Sequence, residues 1–401
     1  MISFRHKKNR EHGQIIPLFA LMLVALILMI GLAIDLGYAY LTKAALSKAV
    51  DAACLAGMRN LGQGTSYAKT VAQNAFTANY GVAPSRDAST PTVNVTFSTD
   101  ANNNTLLSVS ATTTINTFFI RILPQWQTLT IGASAQSTRP QLIMSLVLDR
   151  SGSMNGNGGA AALPTAVNTF LSYFDENVDQ LALVTFSTTS TVDVTMRTMW
   201  KTLMTTAVNS IPFGGATFSV GGLTDGKTQI DNGVSTGQNV VKVAVFFTDG
   251  HANTIQDTLT CGLQNFGGYD PPDTTHVGFF NPSNGGTSCT IPNNPPCCGT
   301  TFHSQSTNST VNITEQTVLA DGEYRSVQMA NAMRAEGVTV YAIGLGNSIN
   351  QQFLQEVAND PASPTYNASQ PVGEADFAAQ ASDLNAVFQT VASKILLRLT
   401  Q

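Results

Sequence analysis

Residues 15–34 form a run of 20 positions with no charged and no strongly polar side chain. At about 1.5 Å of rise per residue, a helix of that length crosses the roughly 30 Å hydrocarbon core of a bilayer. Pro17 falls in the first turn, where a missing N–H costs little. Arg5, Lys7, Lys8 and Arg10 stand just before the run, although the whole chain has only 20 Lys+Arg. By the positive-inside rule, residues 1–14 are a cytoplasmic basic flank, residues 15–35 a transmembrane helix, and everything later lies outside. A cleaved signal peptide has a shorter apolar region, about 7–15 residues, ending in a small-x-small site. Here the run continues unbroken into a second helical pattern, which predicts a retained anchor.

That second pattern runs from Gly37 to about Tyr80 and carries Ala44, Ala45, Ala49, Ala52, Ala53 and Ala56. Alanine favours helix, and small residues let another backbone approach closely. The stripe suits a helix lying on its own domain; packing against a partner subunit is the alternative. From Thr92 to Thr138 the period changes to two. Val93, Val95 and Phe97 alternate with polar residues, and residues 106–110 and 128–135 do the same. Residues 100–104 between them have turn chemistry. Residues 36–139 thus read as a long helix backed by a small sheet, a pilin-like α+β stalk ending at Arg139-Pro140.

Three stretches resemble the N-terminus of TadG-like proteins of the bacterial Tad/Flp pilus-assembly family. They are His12-Gly-Gln-Ile-Ile-Pro17-Leu-Phe-Ala-Leu, Asp35-Leu-Gly-Tyr-Ala-Tyr40 and Ala49-Val-Asp51-Ala-Ala-Cys54-Leu-Ala-Gly57. Residues 115–123 also resemble that pattern. Type IV prepilins are cut after a Gly and carry Glu five residues further on; after Gly13 that position is Leu18, which argues for an uncleaved anchor. The resemblance implies a single-pass protein of the bacterial cytoplasmic membrane, with pilus-assembly or envelope proteins as partners.

From Gln141 the pattern is that of a doubly wound, mostly parallel α/β domain, residues 141–401. Residues 142–148, 181–186, 240–248 and 338–346 are almost wholly apolar, as central parallel strands are. Helical patterns at residues 161–174, 324–336 and 384–399 alternate with them. A ligand site in such a fold lies at the carboxyl ends of the strands. Asp149 and Asp249 both stand there. The loop Asp149-Arg-Ser151-Gly-Ser153 offers one carboxylate and two hydroxyls on alternate residues. Gly214-Gly-Ala-Thr217 can close the site with a further hydroxyl, its glycines permitting close approach. Such oxygens suit a hard divalent cation, Mg²⁺ first, with Mn²⁺ or Ca²⁺ as alternatives.

This set resembles the metal-ion-dependent adhesion site of von Willebrand factor A domains. The resemblance implies a Rossmann-like fold, metal ligands Asp149, Ser151, Ser153, Thr217 and Asp249, and a protein partner whose Asp or Glu completes the ion's coordination. No catalytic residue and no organic cofactor is expected. A metal-dependent hydrolase would need a base beside the ion, and His251 is the nearest candidate. A purely structural role, with the ion stabilising the fold, is a further alternative. Gly156-Asn-Gly-Gly imitates a dinucleotide fingerprint, but the strand ends seven residues earlier and no acid follows the second strand.

Residues 251–323 read as an insertion between strand and helix, rich in Gly, Pro, Asn and Thr. It holds Cys261, Cys289, Cys297 and Cys298 with three of the five His. No Cys-x-x-Cys pair supports zinc, and an oxidising compartment favours disulfides. Cys261 and Cys289 should each pair with one of the adjacent two. Cys54 is left over as a buried, inert thiol. Charged residues make up only 11% of the chain and the net charge is −5, which excludes a basic nucleic-acid binder. The 43% hydrophobic content excludes disorder throughout.

Overall fold

A computed structural model describes residues 15–81, 88–100, 104–235, 240–267, 278–290, 298–347 and 349–399. The basic flank, His276 and Cys297 lie outside them. The chain divides into two compact units. Met1–Met58, Ala68–Ser98 and Leu107–Ser137 make the first; Arg59–Tyr67, Thr99–Leu106 and Thr138–Gln401 make the second.

The first unit is dominated by α1 (Ile15–Arg59), with α2 (Thr65–Tyr80) and strands β1 (Thr92–Thr99), β2 (Thr105–Asn116) and β3 (Thr128–Arg139) in the order β1-β2-β3. The first part of α1 is long and apolar enough to cross a membrane. Its large side chains from Ile16 to Leu36 are exposed, so no protein core accounts for their hydrophobicity. Further on, the pattern becomes one-sided: Leu46, Ala49, Val50, Ala53, Cys54 and Met58 are buried at helical spacing. The small-residue stripe therefore lies largely on its own domain. Gly57 is its tightest point, where an added Cβ would sit 2.8 Å from Leu107 and 3.0 Å from Ala72. Cys54 donates to the Leu107 carbonyl, and burial together with the Asp51 charge pushes its thiol up to about 11. A thiol held neutral in this way is a poor nucleophile.

One helical expectation needs correction. The pattern from Gly37 to Tyr80 is not a single helix: α1 stops at Arg59, a 3₁₀ turn follows at Leu61–Gln63, and α2 starts at Thr65. Gly64, at φ 97°, takes a conformation that side-chain-bearing residues avoid and ends the turn.

The second unit is built on a six-stranded sheet. Its order is β15-β14-β7-β4-β5-β6, with β4 (Gln141–Asp149) central. The one-turn helix α3 (Ser153–Gly156) and α4 (Gly159–Leu171) lead to β5 (Gln180–Phe186) and β6 (Ser190–Arg197). Helices α5 (Lys201–Asn209) and α6 (Ser219–Asp231) then lead to β7 (Val240–Thr248). All pairings are parallel except β5–β6. Strand β4 is buried throughout and sorts its side chains by parity. Leu142, Met144, Leu146 and Leu148 join one core, and Ile143 and Val147 the other. This two-faced burial explains the unbroken apolar run in the sequence. Arg139, at the end of β3, is fully buried. Its guanidinium donates twice to Asp179, at 2.8 and 2.7 Å.

Between β7 and α7 (Glu315–Ala335) the chain folds into more than a loop. Strands β8 (Thr254–Leu259), β9 (Gly262–Gly267), β10 (Gly278–Phe280) and β11 (Thr287–Thr290) form an antiparallel sheet, and β12 (Thr301–Ser304) pairs with β13 (Ser309–Asn312). Ile255, Phe266, Phe279, Phe302 and Ile313 make a small core there with Val318 of α7. The helix begins nine residues before the expected Tyr324, because Thr314 and Thr317 form a capping box. Helix α7 leads to β14 (Thr339–Leu345), α8 (Gln351–Ala358), β15 (Ala375–Ala378) and α9 (Leu384–Arg398).

Cys261 is bonded to Cys298, one of the expected pairings, over a sequence separation of 37. Closing a loop of that size restricts the unfolded chain by about 4 kcal/mol on the entropic account. Reduction, or a Cys261→Ser/Cys298→Ser variant, should therefore make the insertion the first target of limited proteolysis while the six-stranded sheet stays folded. Equal protease resistance with and without the bond would show that the small core suffices alone.

Candidate metal centre

The site starts from the two central parallel strands. Strands β4 and β7 run side by side and end together, which brings Asp149 and Asp249 to the same edge of the sheet. The fold fixes each carboxylate differently. Asp149 is fully buried and accepts from the Ser151 N–H at 2.7 Å and from the Thr248 hydroxyl at 2.6 Å. Asp249 accepts from the Ser153 hydroxyl at 2.7 Å, the Ser151 hydroxyl at 3.4 Å and the Asn157 amide at 2.7 Å. The two serine hydroxyls are 2.9 Å apart.

Ser151, Ser153 and Asp249 are thus joined by direct hydrogen bonds, and Asp149 is tied to them through the Ser151 backbone. Among the described residues, Thr217 is linked to the group only through its loop. Its Gly-rich loop is laced to the first: Gly214 N–H donates to the Arg150 carbonyl at 2.8 Å, and Gly152 N–H to the Gly215 carbonyl at 2.9 Å. Gly215 has φ 85°, and a Cβ there would lie 2.5 Å from the Thr188 hydroxyl, so only glycine fits. The Thr217 N–H donates to Asn253 at 2.7 Å, fixing the residue from its backbone.

Three supporting residues were not foreseen: Thr248, Asn157 and Asn253. Thr248 directly precedes Asp249, so a hydroxyl at the strand end was visible in the sequence. Asn157 sits inside the Gly-rich stretch that imitates a dinucleotide fingerprint. Asn253 has no spacing signal, since it begins the insertion.

Burial dominates the electrostatics. Desolvation, with the facing Asp249 charge second, pushes Asp149 up to about 7. Desolvation raises Asp249 as well. Two carboxylates in one buried site resist ionising together unless a cation joins them. The donors around them are carboxylate and hydroxyl oxygens, the set a hard divalent cation takes. Among the described residues no group of three or more His, Cys, Asp or Glu is placed to hold a metal, so a site here depends on the hydroxyls. His251, the alternative base, is half-exposed with Nδ1 3.1 Å from Glu323.

Comparisons with known proteins follow the same division. The Flp pilus-assembly TadE/G-like family matches residues 13–60, and the von Willebrand factor type A domain family matches residues 144–262. None of the curated proteins matches the chain. Among solved structures, proximal thread matrix protein 1 from the mussel byssus is 16% identical at a TM-score of 0.38, covering 64% of this chain and 47% of that one. The chain thus spans about half the length of that relative; another of its structures has a zinc-occupied MIDAS motif. The pilus adhesin SpaC from Lactobacillus rhamnosus GG is 16% identical at 0.42, covering 80% and 35%. A point mutant of the PilB minor pilin from Streptococcus sanguinis is 15% identical at 0.41, covering 80% and 81%. The chain therefore joins a TadE/G-like segment of the Flp pilus-assembly family, at residues 13–60, to a von Willebrand factor type A domain at residues 144–262.

Proposed function

We propose that this protein is a membrane-anchored binding module that captures a protein partner through a divalent cation, in Flp pilus assembly or surface attachment. The two domains support an adhesion or pilus-associated role. The observation that carries metal dependence is the convergence of the Ser151 and Ser153 hydroxyls on Asp249, beside a second buried carboxylate. Asp149, Ser151, Ser153, Thr217 and Asp249 would hold the ion, Mg²⁺ first and Mn²⁺ or Ca²⁺ as alternatives. When bound, it would supply an electrophilic centre for an acidic side chain of the partner. Residues 15–35 would anchor the chain in the cytoplasmic membrane, with the binding domain outside. The insertion follows directly from the strand bearing Asp249, so its surface would lend affinity and specificity.

The test is crosslinking in intact cells with and without chelator. Envelope proteins recovered with the wild type should disappear in chelator and in Asp149→Ala and Thr217→Ala, with the fold retained by circular dichroism. Undiminished recovery with Asp149→Ala in chelator would remove the ion site from the contact.

A further inference from the structure

Between β2 and β3, residues 117–127 form a closed loop beside α1. Thr117 closes its neck: its N–H donates to the Gln127 carbonyl at 3.0 Å and its hydroxyl to the Trp126 carbonyl at 2.7 Å. The loop is fastened to α1 at one buried residue. Asp35 accepts from the N–H groups of Phe118 at 2.7 Å, Phe119 at 3.0 Å and Ile120 at 2.7 Å. A turn earlier on the same helix, Gly31 leaves room for Phe119. A Cβ there would come within 2.6 Å of that side chain. A turn later, the Tyr38 and Phe118 rings meet edge to face at 5.6 Å. The loop thus lies level with residues 31–38, where the 20-residue apolar run ends.

Its outward chemistry is unusual for a surface loop. Phe118, Phe119, Ile122, Leu123 and Trp126 are all exposed, with Ile122 at 75%. Arg121, also exposed, is its one charged residue. A contiguous apolar patch of this kind marks a binding surface rather than ordinary solvent contact. The patch continues the exposed apolar face of α1, at Leu32, Ile34 and Leu36. Tryptophan and arginine beside an apolar span suit the headgroup level of a bilayer, where the ring is half buried and the cation meets phosphate.

We propose that this loop is a second membrane contact, seated in the outer interface of the bilayer that α1 crosses. The proposal rests on the reading of residues 15–35 as the anchor. Asp35 acts as the latch that sets the loop's depth: three charge-assisted bonds fix it to the helix. One helix alone leaves a chain free to tilt and rotate in lipid. A helix with a side loop seated in the interface has its rotation fixed.

Trp126 is a built-in probe, because the other tryptophan, Trp200, is fully buried. The full chain is reconstituted in phosphatidylcholine vesicles with or without bromine near the headgroup end of the acyl chains. The wild type in brominated lipid should fall to the emission of Trp126→Phe, and Trp126→Phe should emit alike in both lipids. Unquenched wild type that resists carbonate extraction would overturn the loop contact and leave the anchor standing. Extraction by carbonate would overturn the anchor and the loop contact together. A second variant, Asp35→Asn, should keep the protein in the membrane but lower the quenching of Trp126; unchanged quenching would overturn the latch.

Discussion

Asp149→Asn should invert the order of stability between two media. In chelator, the variant should unfold at a higher temperature than the wild type; in saturating Mg²⁺, at a lower one. The inversion follows from two buried carboxylates in one site. Without a cation their burial and mutual repulsion oppose folding, and an amide removes one of the charges. The amide oxygen can still accept from the Ser151 N–H, and the Thr248 hydroxyl can turn to accept from the amide nitrogen. With a cation the wild type gains RT ln(1 + [L]/Kd), about 2.7 kcal/mol at a hundredfold excess over Kd. At about 2–4 °C per kcal/mol, that is a rise of roughly 5–10 °C. The variant has lost one anionic ligand and should show little of it. Calorimetry in the two media decides the matter. A wild type indifferent to Mg²⁺, Mn²⁺ and Ca²⁺ alike would count against a metal site at these residues.

The second large effect concerns Arg139 and Asp179. Both are buried, and the pair is bidentate. Asp179 also accepts from the Asp175 N–H at 2.9 Å and the Leu142 N–H at 3.3 Å. Arg139→Ala would leave that carboxylate buried without its counter-charge, which typically costs about 3–5 kcal/mol. Asp179→Ala should cost a similar amount by stranding the guanidinium. The double variant Arg139→Met/Asp179→Leu should recover much of the loss, because an apolar pair leaves no charge behind. Urea unfolding of the three variants tests this. Additive losses in the double variant would mean that the two side chains act independently.

What the sequence disclosed follows the reach of each interaction. The four inner strands of the sheet were legible because burial on both faces leaves few polar positions, whereas the edge strands β6 and β15, only partly buried, gave no such run. The carboxylates and serines were legible because one loop carries three of them at fixed spacing. The break at Arg59–Gly64 was hidden because helical periodicity resumes in α2, and only Asn60, Gly62 and Gly64 mark the interruption. The strands inside the insertion left no mark because they are short and their core is a handful of side chains scattered over some sixty positions, from Ile255 to Val318. Asn253 acts through tertiary contact with the Thr217 backbone, and nothing in its neighbours announces it. The buried pairing of Arg139 left no mark because its partner lies 40 residues away.

The placement of β4 has a mechanical consequence. The chain arriving from the first unit enters this strand at Gln141, and the strand ends at Asp149, at the proposed ion. A partner held there and pulled away would load β4 along its own axis. Its ladders with β5, from Ile143 to Asp149, and with β7, from Gln141 to Leu148, would then be strained in shear, all rungs sharing the force. A strand loaded across its ladder would instead open one rung at a time. Under the proposed function, the load would therefore run through a strand paired on both sides, and bypass the insertion and the helices of the second unit.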